Sequence, residues 1–395
     1  MKVRSAHIYS ALFVAFFGVL SAYILFGQKP QTGIGENIYS SLPKQYSDRQ
    51  ITENAKLQDP RFERLSFAPS PHWPSSSPEQ LANIWRAIEM VFADRDDMAR
   101  NEHGTWVWTP IPEMTSEYMA RIVGEAKKRG VNTIYLSIDS YLDIFVMQDG
   151  VQKERAERQF VEKLADFIWL AHQNNIAVDA EAGWRNWAEE GHTYKALTIV
   201  EFVKKFNTSQ PLKFRGLQYD IEPYLLENYY TSDENRQKIL TNFVKLVDDT
   251  VYHLEDSKLA LSIAIPDFYD GRDGMTQEFE YKGKKDYVFR HLLNILEKKS
   301  GSSIVLMSYR NFAEGKGGSI DVSRNEMQTV KSGRYKTAVV LAQEVGEVAD
   351  QYTSFHNMPP EYMVAETAKL QSAFAGYRNF AGLSFHYANA YLEVR

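Results

Sequence analysis

Short apolar runs alternate with amphipathic segments along most of the chain, from Thr105 to the C-terminal residues. The apolar runs are rich in Val, Ile, Leu and Tyr, and they occupy residues 105–110, 132–139, 176–184, 214–221, 259–268, 303–311, 336–345 and 380–389. In the segments between them, apolar residues recur every three or four positions, the period of a helix with one buried face. These segments are residues 116–130, 158–175, 194–207, 234–255, 287–300, 322–333 and 361–374.

Strands that alternate with helices in this way form a parallel sheet that is buried on both faces. The eight successive units predict an α/β protein, a closed (β/α)8 TIM barrel. The alternative is an open doubly wound sheet, which carries a glycine-rich phosphate turn after its first strand. The stretch "TWVWTPIPEM" at the first predicted strand contains no glycine, so the barrel is favoured.

An apolar run without charges extends from Ile8 to Gly27 and follows Lys2 and Arg4. About 20 helical residues are enough to span the hydrocarbon core of a bilayer. We therefore expect residues 1–30 to be a single-pass transmembrane signal anchor in the inner, or cytoplasmic, membrane; a cleaved signal peptide is the alternative. The basic residues hold the N-terminus in the cytoplasm, so the folded part is expected in the periplasm or outside the cell.

Residues 31–78 are polar and rich in proline and serine, as in "FAPSPHWPSSSPEQ". This composition is typical of a linker or an irregular arm. Ser77 has the position of a helix N-cap before a helical pattern in residues 78–101. The predicted organisation is an anchor at 1–30, a linker or arm at 31–78 and the barrel at 79–395.

The composition narrows the classes of chemistry. The 395 residues carry a formal net charge of −6, which provides no basic surface for nucleic acid. The chain has no cysteine, so disulfides, thiolate nucleophiles and zinc–thiolate sites are excluded. No histidine pair stands at metal-ligand spacing, so we expect neither a catalytic metal nor another cofactor.

In a barrel of this kind, the chemistry takes place where the strands end. Carboxylates and aromatic residues recur at the predicted strand ends, a pattern that suits a cleft for a polysaccharide or oligosaccharide. The residues expected to contact substrate are Trp108, Asp179, Glu181, Trp184, Tyr224, Asp267, Arg310 and His386.

The stretch "FRGLQYDIEPY" ends the fourth predicted strand with two acids, Asp220 and Glu222. Side chains two residues apart on a strand point the same way, so their repulsion should leave one of them protonated near neutral pH. Glycosidic cleavage needs one carboxylic acid and one charged carboxylate. We assign Glu222, which lies nearer the mouth, as the general acid and Asp220 as the stabiliser. A structural carboxylate clamp or a Ca²⁺ ligand set is the alternative for this pair.

The sequence "GLQYDIEPY" resembles the fourth-strand signature of glycoside hydrolase family 18, the chitinase-like enzymes, written DxxDxDxE. Asp220 falls on its last Asp and Glu222 on its Glu, the proton donor. The sequence "LMSYRN" is similar to the Met-x-Tyr-Asp motif of that family and would place Tyr309 beside the scissile sugar. The resemblance implies that the N-acetyl group of the substrate attacks the anomeric carbon, oriented by the last Asp with help from the Tyr.

This chain departs from the family pattern at three positions. Arg215 and Gln218 stand where the first two Asp of the signature belong, and Arg310 replaces the closing Asp of the second motif. The proton relay behind Asp220 is therefore altered. We expect a distant relative that acts on another exopolysaccharide or cell-wall glycan rather than on chitin.

The sequence "DIEP" also resembles the "NEP" of retaining glycosidases, whose acid/base follows the fourth strand and whose nucleophile ends the seventh. Glu344, in "VVLAQEVGE", has the position of that nucleophile, whereas Ile221 replaces the Asn. A carboxyl separation of about 5–5.5 Å between Glu222 and Glu344 would support this mechanism.

Taken together, these patterns predict a membrane-anchored glycoside hydrolase with Glu222, Asp220, Tyr309 and Glu344 as candidate catalytic residues. The alternative from another class is an inactive barrel that binds glycan in a polysaccharide export machine. The altered signature at Arg215 and Gln218 favours this alternative, and the joint presence of Asp220, Glu222 and Tyr309 favours the enzyme.

Overall fold

The computed structural model describes residues 77–92, 101–272, 274 and 276–393. Within this part the strands are β1 (Glu102–Val107), β2 (Thr133–Ser137), β3 (Ala177–Ala182), β4 (Gly216–Tyr219), β5 (Ala260–Pro266), β6 (Phe279–Tyr281), β7 (Lys284–Asp286), β8 (Ser303–Met307), β9 (Ala338–Glu344) and β10 (Phe380–His386). Eight of them form a closed parallel barrel in the order β1-β10-β9-β8-β5-β4-β3-β2, and β6 pairs with β7 in an antiparallel hairpin. The predicted TIM barrel is confirmed.

The barrel closes because the first strand pairs with the last. Glu102 of β1 lies opposite Gly382 of β10, and Thr105 lies opposite Phe385. A side chain at Gly382 would meet the Glu102 carbonyl oxygen at 2.1 Å, so this close approach requires glycine. An open sheet would leave β1 and β10 as free edges, and the alternative is therefore wrong. The first strand also begins three residues earlier than the pattern predicts.

The described helices are α1 (Pro78–Phe92), α2 (Ser116–Lys128), α3 (Tyr141–Phe145), α4 (Val151–Gln173), α5 (Tyr194–Ser209), α6 (Asp233–His253), α7 (Val288–Leu296), α8 (Ser319–Gly333), α9 (Pro360–Phe374) and α10 (Ala388–Tyr391). Each predicted helix is present, and most boundaries differ by at most four residues. Helix α4 begins seven residues before its predicted start, and α1 ends at Phe92 rather than at residue 101. The short helices α3 and α10 are additions that the pattern did not predict, because single turns carry too few residues to show a period.

Local sequence explains where several helices begin. Ser77 caps α1 as predicted, because its hydroxyl accepts from the Gln80 N–H at 3.2 Å while the Gln80 side chain accepts from the Ser77 N–H at 2.7 Å. This reciprocal pair is a capping box. Thr115 caps α2 and Ser232 caps α6 by accepting from the N–H three residues later. Such caps satisfy backbone donors that the helix leaves free.

The predicted anchor at 1–30 and nearly all of the predicted linker at 31–78 lie outside the described residues. In the part that is described, no helix has the length and apolar character needed to cross a membrane. The anchor and the linker therefore stay predictions.

Candidate active site

The ends of β9 and β10 place a carboxylate against an imidazole. Glu344 and His386 are partners in the register of these strands, and His386 Nδ1 lies 2.7 Å from Glu344 Oε2. The other oxygen, Glu344 Oε1, accepts hydrogen bonds from the N–H groups of Val345 at 2.9 Å and Gly346 at 2.7 Å. Three donors thus hold the Glu344 carboxylate in one orientation.

Aromatic side chains surround His386. Trp108 Nε1 donates to His386 Nε2 at 3.0 Å, and the Tyr309 ring stacks on the imidazole with the centroids 6.1 Å apart. Because an indole N–H is only a donor, this bond requires the neutral tautomer in which Nδ1 carries the proton. Burial lowers the pKa of His386, but Glu344, Asp220 and Glu222 outweigh burial and raise it. Protonation of His386 at Nε2 would break the hydrogen bond from Trp108, because that nitrogen could no longer accept.

Asp220 and Glu222 lie just beyond β4, which ends at Tyr219. The Asp220 N–H donates to the Ala182 carbonyl of the neighbouring strand at 3.2 Å. A side chain at Gly183 would meet the Asp220 carbonyl oxygen at 2.0 Å, so glycine is required where the two chains pass. The pair is thus set by the packing of β3 against β4 and not by strand alternation, because neither acid belongs to the strand.

The environments of the two acids favour different protonation states. Burial, and next the charge of Asp220, raise the pKa of Glu222 to about 7. Burial raises the pKa of Asp220 to about 6, against the opposing effect of His386. Near neutral pH, Glu222 therefore keeps its proton more readily and Asp220 carries the charge, as the sequence suggested. The hydroxyl of Tyr224 donates to Glu222 Oε1, so this tyrosine contacts the acid itself.

One cluster therefore collects residues from four strand ends. His386 and Tyr309 each interact electrostatically with all three carboxyl groups, those of Glu344, Asp220 and Glu222. Sequence reasoning named every member of this cluster. It could not show that they meet, because the contacts join residues far apart in the chain.

Other predicted residues lie around the cluster or away from it. Arg310 pairs with Asp267 at 3.1 Å, and both side chains are partly exposed. The Arg185 guanidinium lies 4.9 Å from the centroid of the Trp184 ring, so that ring has a cation on one face. The neighbouring Trp187 is buried edge-on against Tyr219 and belongs to the core.

The structure does not bring Asp179 to the mouth. Its carboxylate is buried and accepts from Arg215 Nε at 2.8 Å and from Arg215 Nη2, and Glu102 lies 3.6 Å from the same guanidinium. The expected substrate contact is replaced by an ion pair that fills the barrel interior. Arg215 thus neutralises acids on β1 and β3.

Glu181 is also too deep to contact a ligand, since none of its surface is exposed. It interacts with Asp139 and Asp220, and Asp139, at the end of β2, was not among the predicted site residues. The position of Asp139 just after the buried strand β2 is the sequence signal that could have identified it as a site residue. In the described part of the chain, no group of three His, Asp or Glu side chains is arranged to hold a metal ion.

No protein-family model matches the chain, and no curated protein matches it in sequence. Several solved structures are similar to the chain in fold. A β-mannanase from the blue mussel Mytilus edulis has 11% identity over 74% of this chain and 87% of that chain, with a TM-score of 0.45. A GH18 chitinase from Pseudoalteromonas aurantia has 11% identity over 73% and 94%, with a TM-score of 0.45.

A D-psicose 3-epimerase from Clostridium cellulolyticum has 10% identity over 74% of this chain and 89% of that chain, with a TM-score of 0.42. Glycoside hydrolase barrels are thus among the structural neighbours, together with an isomerase. The likeness is one of fold alone, and it does not single out family 18.

Proposed function

We propose that this chain is a glycoside hydrolase that cleaves a polysaccharide or oligosaccharide, with Glu222 as the general acid. The observation that carries the proposal is that His386 contacts Glu344 and stacks on Tyr309, while Asp220, Glu222 and Glu344 all act electrostatically on these two residues. The cluster lies at the carboxyl ends of the strands, where barrels of this kind carry their active sites.

Cleavage of a glycosidic bond requires a proton on the leaving oxygen and negative charge near the anomeric carbon. Glu222 would transfer its proton to the glycosidic oxygen as the C–O bond breaks. Asp220 would stabilise the positive charge that develops on the sugar ring. Water would then add to the anomeric carbon and return a proton to Glu222, so the acid is restored.

A second candidate mechanism uses Glu344 as a covalent nucleophile and Glu222 as acid/base. The supporting observation is that His386 and two backbone N–H groups fix Glu344 in the same cluster. Its carboxylate would attack the anomeric carbon to form a glycosyl-enzyme, which water then hydrolyses.

The substrate would be bound by the partly exposed side chains around the cluster. Trp108, Trp184 and Tyr224 offer aromatic surface, on which sugar rings stack by their apolar faces. Arg310, already paired with Asp267, would suit an acidic sugar. The predicted N-terminal anchor would place this activity outside the cytoplasmic membrane, on a periplasmic or extracellular glycan.

The test is hydrolysis of a panel of bacterial exopolysaccharides and N-acetylated glycans by the full chain and by Glu222→Gln. We expect the parent to release oligosaccharides and the variant to lose about 100- to 10,000-fold in rate, the usual contribution of a general acid. Glu227→Gln is the matched control, because Glu227 is exposed in the same loop and should keep full activity.

Binding of a glycan without cleavage by both proteins would contradict the enzyme. That outcome would instead support the inactive glycan-binding barrel. Equal hydrolysis by the parent and Glu222→Gln would remove Glu222 from the mechanism.

A further inference from the structure

Glu181 is a buried acid for which the proposed mechanism has no role. None of its surface is exposed, and within the described residues neither carboxyl oxygen receives a hydrogen bond of good geometry. An ionised carboxylate in such a place is unfavourable unless it is paired. The chain holds this group in the centre of the barrel, directly behind the candidate active site.

Strand register places two further acids beside it. Glu181 lies opposite Ser137 of β2 and Gln218 of β4, so Asp139 and Asp220 each come two residues later along the neighbouring chains. Gly183 lies between them: its N–H donates to Asp139 Oδ2 at 3.4 Å, and its missing side chain admits the Asp220 backbone. We call Asp139, Glu181 and Asp220 the Gly183 cluster.

The Gly183 cluster has too few donors for its acceptors. One oxygen of Asp139 and one of Asp220 lack a hydrogen-bond partner among the described residues, and the two oxygens of Glu181 have only the nearby Ser137 hydroxyl, outside good hydrogen-bond geometry. The charged groups that act on the cluster from the surrounding elements are Asp143 after β2, Lys195 of α5, Glu222 after β4 and His386 of β10. Lys195, and His386 when it is protonated, thus face five acids, which cannot all be ionised at low cost.

A proton retained by the cluster relieves both the excess of negative charge and the shortage of hydrogen-bond donors. It removes one charge and turns an acceptor oxygen into a donor. We propose that Asp139, Glu181 and Asp220 share protons as one unit, in which Glu181 is a positioning residue that donates a hydrogen bond within the cluster and fixes Asp220. Burial, and next the neighbouring carboxylates, raise the pKa of Glu181 well above its ordinary value against the nearby Ser137 hydroxyl. Burial likewise raises the pKa of Asp139 to about 8.

The role in the reaction rests on the proposed function. When positive charge develops on the sugar, Asp220 is the member that faces it and becomes fully ionised. The proton then stays on Glu181 or Asp139, so no proton has to leave the barrel.

Infrared spectroscopy of the full chain tests the proton sharing without any substrate. Protonated and ionised carboxyl groups absorb separately, so their populations can be followed between about pH 5 and pH 9. The variant is Glu181→Gln, and the control is Glu326→Gln, because Glu326 is an equally buried acid on α8 whose two oxygens also lack partners. Both variants should lose one protonated carboxyl near neutral pH.

Only Glu181→Gln should also change the titrations of Asp139 and Asp220, because Glu181 acts on these two groups whereas Glu326 acts on Asp270 and Asp267. If Glu181→Gln removes no protonated carboxyl, or leaves every other titration unchanged, the proposal is overturned. Should Glu181→Gln fail to fold, Asp139→Asn provides the same comparison, with loss of one protonated carboxyl and a shifted titration of the others.

Hydrolysis separates the positioning role from a structural one. Glu181→Gln keeps a neutral donor and should retain most of kcat with a shifted acid limb of its pH profile. Glu181→Leu lacks the donor and should lower kcat about ten- to a hundredfold at unchanged KM. Equal kcat and pH profiles in both variants would overturn the positioning role. If no glycan is cleaved by the parent, the proposed function fails while the infrared result still decides the proton sharing.

Discussion

His386 Nδ1 lies 2.7 Å from Glu344 Oε2, across the neighbouring strands β10 and β9. The same imidazole accepts from Trp108 after β1, so one side chain joins three strand ends around the mouth. Because Glu344 also accepts two backbone N–H groups, neither the carboxylate nor the imidazole can turn freely. The candidate site is thus held in one geometry by its own hydrogen bonds.

The pH dependence of hydrolysis should be a narrow bell. Asp220 must be ionised, so the rate falls as pH drops below its pKa of about 6. Glu222 must be protonated, so the rate also falls as pH rises above its pKa of about 7. Profiles of kcat/KM report these groups in the free enzyme.

A tyrosine substitution checks the assignment of the alkaline limb. The hydrogen bond from Tyr224 lowers the pKa of Glu222, so Tyr224→Phe should move that limb to higher pH. Tyr252→Phe, at an exposed tyrosine on α6, is the control and should leave the profile unchanged. A Tyr224→Phe profile that moves to lower pH would show that the alkaline limb belongs to another group.

Azide distinguishes the two candidate mechanisms. With Asp220 as stabiliser, we expect Glu344→Ala to lose activity through the lost contact with His386 and to gain nothing from added azide. Asp220→Ala should lose about 100- to 1,000-fold in kcat, the usual effect of removing a group that stabilises charge in the transition state. Recovery of Glu344→Ala by azide, with a glycosyl azide as product, would establish Glu344 as the nucleophile.

Gly183→Ala should disturb both the fold and the site. Its new carbon would lie 2.0 Å from the Asp220 carbonyl oxygen, and overpacking of this kind costs about 1–3 kcal/mol. Gly124→Ala on α2 is the control, because nothing lies within 4 Å of its added carbon and helical alanine stabilises by about 0.5–1 kcal/mol. The measurement is the free energy of unfolding in urea. Equal stabilities of the two variants would contradict the close approach.

The buried ion pair of Asp179 and Arg215 should matter for stability and not for hydrolysis. Asp179→Ala leaves a buried guanidinium poorly compensated and should lower the free energy of unfolding by about 3–5 kcal/mol. Asp249→Ala breaks an exposed pair with Lys245 and should cost about 0.2–1 kcal/mol. If Asp179→Ala has normal stability but reduced hydrolysis, the structural role is contradicted and Asp179 contacts the substrate instead.

The sequence alone determined the architecture of this protein and the residues of its candidate site. Short apolar runs and period-3.6 patterns depend on neighbours in the chain, so they located eight strands and the helices between them. Because such barrels carry their active sites at the carboxyl ends of the strands, the sequence also indicated the candidate site residues Asp220, Glu222, Tyr309, Glu344 and His386. These predictions used only local order and a general property of the fold.

Only the tertiary structure decided depth and contact. Strand closure and register place Trp108 against His386, 278 positions later, and put Asp139 and Glu181 behind Asp220. They also turn Asp179 from an expected substrate ligand into the partner of Arg215. A hydrophobic pattern shows which face of a strand a residue occupies, but the level it reaches in the barrel depends on the stagger between strands. That stagger is set by long-range pairing, and local sequence does not encode it.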